Sequence, residues 1–302
     1  MRVLLIAGGW SNEREVSLKG ARQIHAALEE LGHTVLPFDL NDGFQELARQ
    51  ATGVEFAFIN LHGLPGEDGC VQALLQSMGV PYQGAGPRGS LMALNKALAK
   101  QIFINSDLPT PRWQLLPPQR VLDLRVKTYP AVLKPNTGGS SLGLEILRND
   151  LDLERAKASL LPGVEFILED FVSGLEMTCA ILGDRALPPI LIRPKRGAFF
   201  DYKSKYEQGG AEEICPAPIS AELTSTLKQS ALEAHQALGL KDYSRTDFIV
   251  DSGDRHYLLE TNTLPGMTET SLVPRAAAAA GIDFPGLIRE LIRLGLQSKK
   301  GE

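Results

Sequence analysis

The sequence predicts a chain of mixed class, with an α/β unit that contains a parallel sheet at its N-terminus and α+β structure after it. Within residues 1–88, apolar strand-like runs alternate with amphipathic helical runs, and this order is typical of a parallel sheet with helices on both faces. After residue 176, longer strand-like runs occur. The length of 302 residues indicates two or three domains rather than one core.

In the first segment, each predicted element follows from its hydrophobic period and from the glycines at its end. Period-3.6 runs closed by glycine predict helices, and short apolar runs between turn residues predict strands. The predicted strands are residues 2–9, 33–40, 55–63 and 80–84, and the predicted helices are residues 15–32, 44–50 and 69–79.

The remainder of the chain predicts a small α+β unit followed by longer strands. Residues 90–109 have the pattern of one helix that ends before Pro109. Further strands are predicted at 112–117, 129–135, 142–148, 164–172, 176–183, 186–194, 246–251 and 256–262, with helices near 150–160, 223–239 and 283–297.

Composition and charge exclude several classes of protein. The net charge of −5, without a long basic run, argues against a nucleic-acid partner. No run of 18 apolar residues occurs, and the apolar stretch at 3–7 is too short for a signal peptide, so we expect a cytoplasmic protein without a membrane partner. Cys70, Cys179 and Cys215 are too widely spaced for a zinc site or a disulfide framework, which favours buried thiols.

Polar residues follow two strands of the predicted parallel sheet, at the edge where such sheets bind ligands. Gly8 and Gly9 follow the first strand, and His62 ends the third. Glu13 opens the next helix, where it either interacts with the helix dipole or binds a ligand ammonium group. His62 by itself is a weak signal, since most histidines are structural.

The stretch VLKPNTGGSSLG at 132–143 is a candidate phosphate-binding loop. Lys134 ends an apolar strand, and glycines with Ser140 and Ser141 follow it. Glycine lets backbone N–H groups approach a phosphate, and a lysine supplies a point charge. The lysine precedes the glycines, so this is not the usual P-loop order. An ordinary hairpin remains the alternative.

The stretch RTDFIVDSGDRHYLLETN at 245–262 is a candidate metal site. Asp247 opens one predicted strand, Glu260 closes the next, and Asn262 shares the face of Glu260. Two carboxylates and an amide oxygen suit Mg2+ that also binds a polyphosphate. Arg245, on the same face as Asp247, would bind an anion or a developing oxyanion. A solvated strand end is the alternative.

These motifs, taken in order along the chain, resemble the D-alanine–D-alanine ligase family of ATP-grasp enzymes. The resemblance covers about residues 3 to 295 and includes GGWSNEREVSLKG, NLHGLPGEDGCVQ, LNKALAKQIF, VLKPNTGGSSLG, FFDYKSKY, CPAPIS, RTDF and LLETNTLPGMTETSLVP. It implies an ATP-grasp architecture with three domains. These are an N-terminal Rossmann-like domain at 1–88, a small central domain at 89–176 and a C-terminal domain with the metal and substrate site at 177–302.

The resemblance also implies the reaction. ATP phosphorylates the carboxylate of one D-alanine, and the amine of a second D-alanine attacks the acyl phosphate, so that a dipeptide for peptidoglycan precursors, ADP and phosphate are formed. The implied ions are two Mg2+, with Mn2+ as an alternative, and the implied assembly is a homodimer.

The family's nucleotide and metal residues carry over to matching positions of this chain. The residues implied to contact the phosphates are Lys96, Lys134 and Lys205, and those implied to hold adenine and ribose are Glu169 and Glu176 respectively. The loop above the site is implied to contain Ser140 and Ser141, and the implied oxygen ligands of the ions are Asp247, Glu260 and Asn262.

The amino-acid sites carry over in the same way. Glu13 is implied to bind the first ammonium group, with His62 beside it, and Tyr206 to close the site together with Glu13 and Ser140. Arg245 and the Gly266 N–H are implied to stabilise the oxyanion. Ser271 and the Leu272 N–H are implied to bind the carboxylate of the second D-alanine.

Two related activities and one inactive form are the alternatives. A D-alanine–D-lactate ligase is disfavoured by Tyr206, which such relatives tend to lack, and another ATP-grasp carboxylate–amine ligase remains open. A catalytically inactive nucleotide-binding module would be expected to lack a metal ligand or Arg245, and all are present. The chain departs from the usual family pattern at Trp10, Asp170, Leu264 and Thr270.

Overall fold

The computed structural model describes residues 1–120, 123–139, 143–160, 163–194 and 211–298. Its strands form three separate sheets, one parallel and two antiparallel. The predicted mixed α/β and α+β class is therefore confirmed.

The N-terminal sheet is parallel, as its alternating pattern predicts. Its strand order is β2-β1-β3. Because the three strands run parallel, their carboxyl ends lie at the same edge of the sheet. The elements are β1 (Arg2–Ala7), α1 (Arg14–Glu30), β2 (Thr34–Asp39), α2 (Phe44–Ala51), β3 (Phe56–Ile59) and α3 (Cys70–Ser77).

The predicted fourth strand at 80–84 is reduced to one bridge. Tyr82 pairs with Ala57, but the side chain of Gln83 replaces further backbone pairing. Its Oε1 accepts from the Ile59 N–H at 3.0 Å, and its Nε2 donates to the Ile59 carbonyl at 2.7 Å. A side-chain amide carries one donor and one acceptor group, so it can satisfy a buried strand end as a neighbouring strand would.

The prediction of one helix at 90–109 is wrong. Two helices, α4 (Pro87–Leu94) and α5 (Lys96–Asn105), meet at Asn95, whose backbone is extended at φ −82 and ψ 101. The Asn95 side chain accepts from the Leu98 N–H at 3.0 Å. Asparagine is among the best N-cap residues, so it starts a second helix instead of continuing the first.

The small antiparallel sheet has the order β4-β7-β5-β6. Leu133, Leu147 and Phe166 of this sheet and Leu153 of the helix beside it form a separate core. The elements are β4 (Trp113–Leu116), β5 (Ala131–Pro135), β6 (Glu145–Leu147), α6 (Asp150–Ser159) and β7 (Phe166–Asp170).

The large sheet has the order β11-β10-β8-β12-β13, with β9 on β8. Its strands are β8 (Leu175–Leu182), β9 (Arg185–Ala186), β10 (Ile190–Pro194), β11 (Ala211–Ile214), β12 (Tyr243–Val250) and β13 (His256–Asn262), and its helices are α7 (Ala221–Ala237), α8 (Leu272–Ala279) and α9 (Phe284–Ser298).

The large sheet contributes to two cores. One contains residues of α4, α5 and α7, and the other is continuous with the N-terminal sheet and includes α8 and α9. Helix α9 packs against α1 and β3, so the C-terminus of the described chain covers the N-terminal sheet. The domain boundaries at 88/89 and 176/177 stay a prediction.

The three cysteines are not uniformly buried. Cys179 is buried, Cys215 is half-buried and Cys70 is exposed. The prediction of buried thiols is therefore wrong for Cys70, which starts α3 at the surface.

The crossing of α9 over the segment after β3 depends on Gly295. A Cβ atom placed there would lie 2.4 Å from the Tyr82 carbonyl oxygen and 3.0 Å from the Gln83 nitrogen. We expect Gly295→Ala to lower the free energy of unfolding by about 1–3 kcal/mol, because the added methyl group would force α9 away from the backbone of Tyr82 and Gln83. Urea denaturation measures this effect.

Gly86→Ala is the control at a glycine without a close approach. Gly86 has φ −72, and a Cβ atom there would lie 3.8 Å from the Tyr82 hydroxyl oxygen, which is an ordinary contact distance. Equal unfolding free energies for the two variants would contradict the assigned close approach.

Candidate active site

The carboxyl edge of the N-terminal sheet is built around two glycines and a serine. Gly8 and Gly9 have φ of 71° and 77°, which favours glycine. A Cβ on Gly8 would lie 2.2 Å from an Asp39 oxygen. The Gly8 N–H donates to Ser17 Oγ at 2.8 Å, and this hydroxyl donates to the Asn60 carbonyl. These bonds fix the start of α1 against the end of β3.

Glu13 and His62 are both buried at this edge. His62 Nδ1 lies 3.2 Å from the Leu264 carbonyl. Since a carbonyl only accepts, Nδ1 carries the proton and Nε2 is left as an acceptor. Burial lowers the pKa of His62, against the opposing effect of the Glu13 charge. His62 is therefore neutral at pH 7, close to a carboxylate.

Glu67 is a further acidic group at this edge, to which the sequence assigned no role. Burial raises the pKa of Glu67 to about 8, and the Glu13 charge adds to the effect. Its Oε2 accepts from the Gly63 N–H at 3.1 Å, and Gln72 Nε2 supports the same loop through the Gly66 carbonyl at 2.8 Å. The position of Glu67 in a glycine-rich loop gave no signal of this burial.

The predicted metal ligands meet across the β12–β13 hairpin. Asp247 is directly opposite Glu260, and Arg245 is directly opposite Asn262, with a register shift between Asp247 and Phe248. Strand β12 begins at Tyr243, so Asp247 lies within this strand rather than at its start. The two carboxylates are nevertheless neighbours at the end of β13.

Asp247 has a dense set of hydrogen bonds. Arg245 donates to it through Nε and through a terminal nitrogen, both at 2.8 Å. Thr178 Oγ1 donates at 2.7 Å and Asn262 Nδ2 at 3.1 Å. Two parallel bonds from a guanidinium fix both the plane of Arg245 and the orientation of the carboxylate. Thr178, on the neighbouring strand, carried no signal in the sequence.

The oxygen ligands that Asp247, Glu260 and Asn262 can offer fit a hard divalent ion whose remaining ligands come from phosphate oxygens and water. Among the described residues, no group of three or more His, Cys, Asp or Glu is placed to hold a metal, so the two carboxylates alone are not a complete cage. Asn262 now presents its amide nitrogen to Asp247. A rotation of this amide would present its oxygen, and phosphate oxygens and water commonly complete the shell of Mg2+.

Two lysines and one glutamate form a buried ion cluster in the small sheet and α5. Glu169 has Lys134 at 3.0 Å from Oε2 and Lys100 at 3.0 Å from Oε1. Burial raises the pKa of Glu169, but the charges of Lys134 and Lys100 outweigh burial, so this pKa lies below its usual value. Glu169 is therefore ionised at neutral pH. Lys100 was not among the predicted site residues.

Lys96 connects the glycine-rich loop to the metal edge. Its Nζ donates to the Gly138 carbonyl at 2.5 Å and lies 3.7 Å from Glu260 Oε2. Asn136 fixes the start of the loop, because its backbone and side-chain oxygens both accept from the first turn of α5 at 2.9 Å. Burial lowers the pKa of Lys96. Lys96 therefore places a cation between the loop that follows β5 and the Glu260 carboxylate on β13.

The loop after β13 places Gly266 beside Ser271. A Cβ on Gly266 would be 3.1 Å from Ser271 Oγ, and Thr268 Oγ1 is 2.7 Å from the same hydroxyl. Leu272 begins α8 directly after it. Arg275 Nε donates to the Thr270 carbonyl at 2.9 Å and pairs with Glu213 at 3.1 Å. This part of the site is thus tied to β11.

Some predicted positions lie apart or outside the described residues. Glu176 is on β8 in the large sheet, opposite Ile249, whereas Glu169 is on the small sheet. Trp10 is 52% exposed and packs edge-on against Phe44. Four predicted site residues fall outside the described ranges: Ser140, Ser141, Lys205 and Tyr206.

Two antiparallel sheets are joined by α5, which contacts β4 of the small sheet and β13 of the large one. Lys96 of α5 lies beside Glu260 at the end of β13, and this arrangement is typical of an ATP-grasp fold. A family model described as "D-ala D-ala ligase C-terminus" matches residues 104–293. A D-alanine–D-alanine ligase of Oleidesulfovibrio alaskensis is 57% identical over 98% of this chain and 97% of its own length. The chain belongs to the D-alanine–D-alanine ligase family.

Solved structures support the same assignment. A D-alanine–D-alanine ligase from Bacillus anthracis superposes with a TM-score of 0.89 at 34% identity, covering 100% of this chain and 99% of that one. The same enzyme in complex with ATP gives a TM-score of 0.88 at 32% identity with the same coverage. The predicted ATP-grasp architecture is confirmed.

In the described part of the chain, no helix combines the length and the apolar character that a bilayer crossing requires.

Proposed function

We propose that this chain joins two D-alanine molecules to D-alanyl-D-alanine, using ATP and releasing ADP and phosphate, for peptidoglycan precursor synthesis. The observation that carries the proposal is the 57% identity with a D-alanine–D-alanine ligase over nearly the whole chain. The cleft supports it, since it combines the charges needed for a polyphosphate with those needed for an amino acid.

The first D-alanine is proposed to bind at the edge of the N-terminal sheet. Glu13 holds its ammonium group, and His62 lies beside it. A neutral His62, with Nδ1 donating to the Leu264 carbonyl, adds no positive charge that would compete with the ammonium for Glu13. This arrangement leaves the substrate carboxylate free to face the nucleotide.

ATP is proposed to occupy the cleft between the two antiparallel sheets. Lysine ammonium groups bind its phosphates, glutamates hold adenine and ribose, and loop serines cover the site. The assigned residues are Lys96, Lys134 and Lys205; Glu169 and Glu176; and Ser140 and Ser141.

Asp247, Glu260 and Asn262 are proposed to hold two Mg2+ ions, with Mn2+ as an alternative. The ions would supply charge neutralisation on the transferred phosphoryl group. The residues of this chain orient the ligands, since Thr178 and Arg245 fix the plane of the Asp247 carboxylate. Lys96, 3.7 Å from Glu260, places a cation between the ions and the loop.

Bond formation is proposed to take place between Arg245 and the loop after β13. Arg245 and the Gly266 N–H stabilise the oxyanion of the tetrahedral intermediate, which is where pre-placed donors contribute most. Ser271 and the Leu272 N–H bind the carboxylate of the second D-alanine. Tyr206, with Glu13 and Ser140, closes the site, which keeps water from the acyl phosphate.

The organisation of the protein is proposed from the same family. The three domains are 1–88, 89–176 and 177–302, and the active protein is a cytoplasmic homodimer. Light scattering on the purified chain tests the dimer, and a monomer mass at working concentration contradicts it.

A phosphate-release assay tests the proposed function. With ATP and Mg2+, we expect D-alanine to stimulate phosphate release, and L-alanine and D-lactate alone to give none. The mass of the product must equal that of D-alanyl-D-alanine. A depsipeptide from a mixture of D-alanine and D-lactate would favour the D-alanine–D-lactate activity, and a product from other amino acids would favour another ATP-grasp ligase.

A further inference from the structure

We propose that Lys100 is a positioning residue for the nucleotide, because it holds Glu169 ionised and correctly oriented while Lys134 is engaged by phosphate. The inference rests on the proposed function and deepens it, since it assigns a role to a lysine that is outside the set expected to contact ATP.

The contacts of Lys100 show that its charge is held inside the protein. Its side chain is fully buried and lies 3.0 Å from Glu169 Oε1. Its Nζ also donates to Thr110 Oγ1 at 2.6 Å. Burial lowers the pKa of Lys100 to about 8, against the opposing charge of Glu169. A lysine kept this far from water needs an opposite charge beside it, and Glu169 supplies that charge.

Lys134 shares the same carboxylate and cannot serve both partners equally. It lies 3.0 Å from Glu169 Oε2 at the end of β5, next to the glycine-rich loop. When a phosphate draws the Lys134 ammonium away, Glu169 keeps one counter-ion, which is Lys100. Without Lys100, the buried carboxylate would then be unpaired and would take up a proton, so that one of its two oxygens would become a donor instead of accepting a hydrogen bond from the nucleotide.

Oε1 of Glu169 has an unused acceptor site for such a bond. Among the described residues, this buried oxygen has no partner in good hydrogen-bond geometry, although the Lys100 ammonium lies 3.0 Å away. The contact is therefore an ion pair with poor alignment, and a lone pair remains for a donor group of a ligand.

Lys100 also joins the nucleotide side of the cleft to the metal side. Thr110 Oγ1, which accepts from Lys100, donates to the Leu258 carbonyl at 2.8 Å. The Pro109 carbonyl accepts from the Leu258 N–H at 2.8 Å. Leu258 precedes Glu260 by two positions on β13, so Thr110 links the Lys100 ammonium to the strand that carries Glu260.

The test is Lys100→Met, which removes the charge and keeps a side chain of similar length. We expect the ATP dissociation constant, measured by calorimetry without D-alanine, to rise at least tenfold. The preference for ATP over GTP in kcat/KM should fall in parallel, while the KM values for D-alanine stay within about twofold. Lys19→Met, at an exposed position of α1, is the control and should match the wild type in all of these quantities.

The double variant Lys100→Met/Glu169→Gln separates positioning from general damage. It has no unpaired buried carboxylate at this place, so it is expected to fold even where the single variant does not. If Lys100 acts through Glu169, the double variant binds ATP no worse than Glu169→Gln alone. Additive losses, or an unchanged ATP dissociation constant in a folded Lys100→Met protein, overturn the inference.

Failure of the inference is distinguishable from failure of the proposed function. A wild-type chain that releases no phosphate with ATP and D-alanine contradicts the function. A wild-type chain that is active, together with a Lys100→Met variant that keeps its ATP affinity and nucleotide preference, contradicts the role of Lys100 alone.

Discussion

Replacing Glu260 by glutamine is expected to reduce D-alanine-dependent phosphate release by about 10³-fold or more, since it weakens the electrostatic stabilisation of the phosphoryl group. Glutamine keeps the volume of the side chain but removes the charge that faces Asp247 across the hairpin and Lys96 at 3.7 Å. The measurement is kcat at saturating ATP, D-alanine and Mg2+.

The fold should survive this change, because Glu260 is not fully buried and the strand pairing of β13 does not depend on its charge. Circular dichroism and the melting temperature check this point. Glu222→Gln, at an exposed position in the first turn of α7, should retain wild-type kcat. Turnover near the wild-type rate in folded Glu260→Gln would remove Glu260 from the proposed metal set.

Arg245→Lys is expected to lower kcat by about 10²–10³-fold, as removal of one oxyanion donor does in other enzymes. Lysine keeps the positive charge, but it cannot form the two parallel bonds to Asp247 that fix the plane of the guanidinium. The KM for ATP should change much less than kcat, since Thr178 still donates to Asp247 and the proposed contact with the oxyanion is made only in the transition state. Initial rates over a grid of ATP and D-alanine concentrations measure both parameters.

The hairpin itself offers the matched control for Arg245. Arg255 pairs with Asp251 at 2.8 Å on its exposed turn, and such pairs contribute little. Arg255→Lys should therefore keep kcat and KM. If Arg245→Lys raised KM values without lowering kcat, Arg245 would be a ground-state binding residue and not an oxyanion donor.

The nearness of Asp247 and Glu260 could be predicted from the sequence, because a short turn joins their strands and Asp251 accepts from the N–H groups of Gly253 and Arg255 there. The exact pairing could not, because the register set by this turn would place Asp247 opposite Leu259. A register shift between Asp247 and Phe248 brings Asp247 opposite Glu260 instead. The catalytic roles of these residues stay predictions.

The break between α4 and α5 could have been found in the same way. Asn95 is a good N-cap residue, but the apolar positions on both sides of it continue with a helical period. The helical period by itself predicts one helix, whereas the Asn95 side chain accepts from the Leu98 N–H and starts a second one.

Lys100 and Glu67 could not be found in the same way. A lysine in a helical pattern and a glutamate in a glycine-rich loop are ordinarily exposed to solvent. Here Lys100 is fully buried against Glu169 of β7, and the pKa of Glu67 is raised to about 8 by its surroundings. Glu169 is far from Lys100 in the sequence, and Glu13, whose charge contributes to the shift at Glu67, is far from Glu67.

The sequence by itself determined the kinds of strand and helix along most of the chain, the family, and the chemical groups at the strand ends. These features follow from the spacing of residues within short segments, where hydrophobic period and turn chemistry act. The tertiary structure alone decided which charges share one buried space, as Lys100, Glu169 and Lys134 do. The reason is that desolvation and ion pairing depend on segments that meet only when the small sheet forms and α5 packs beside it.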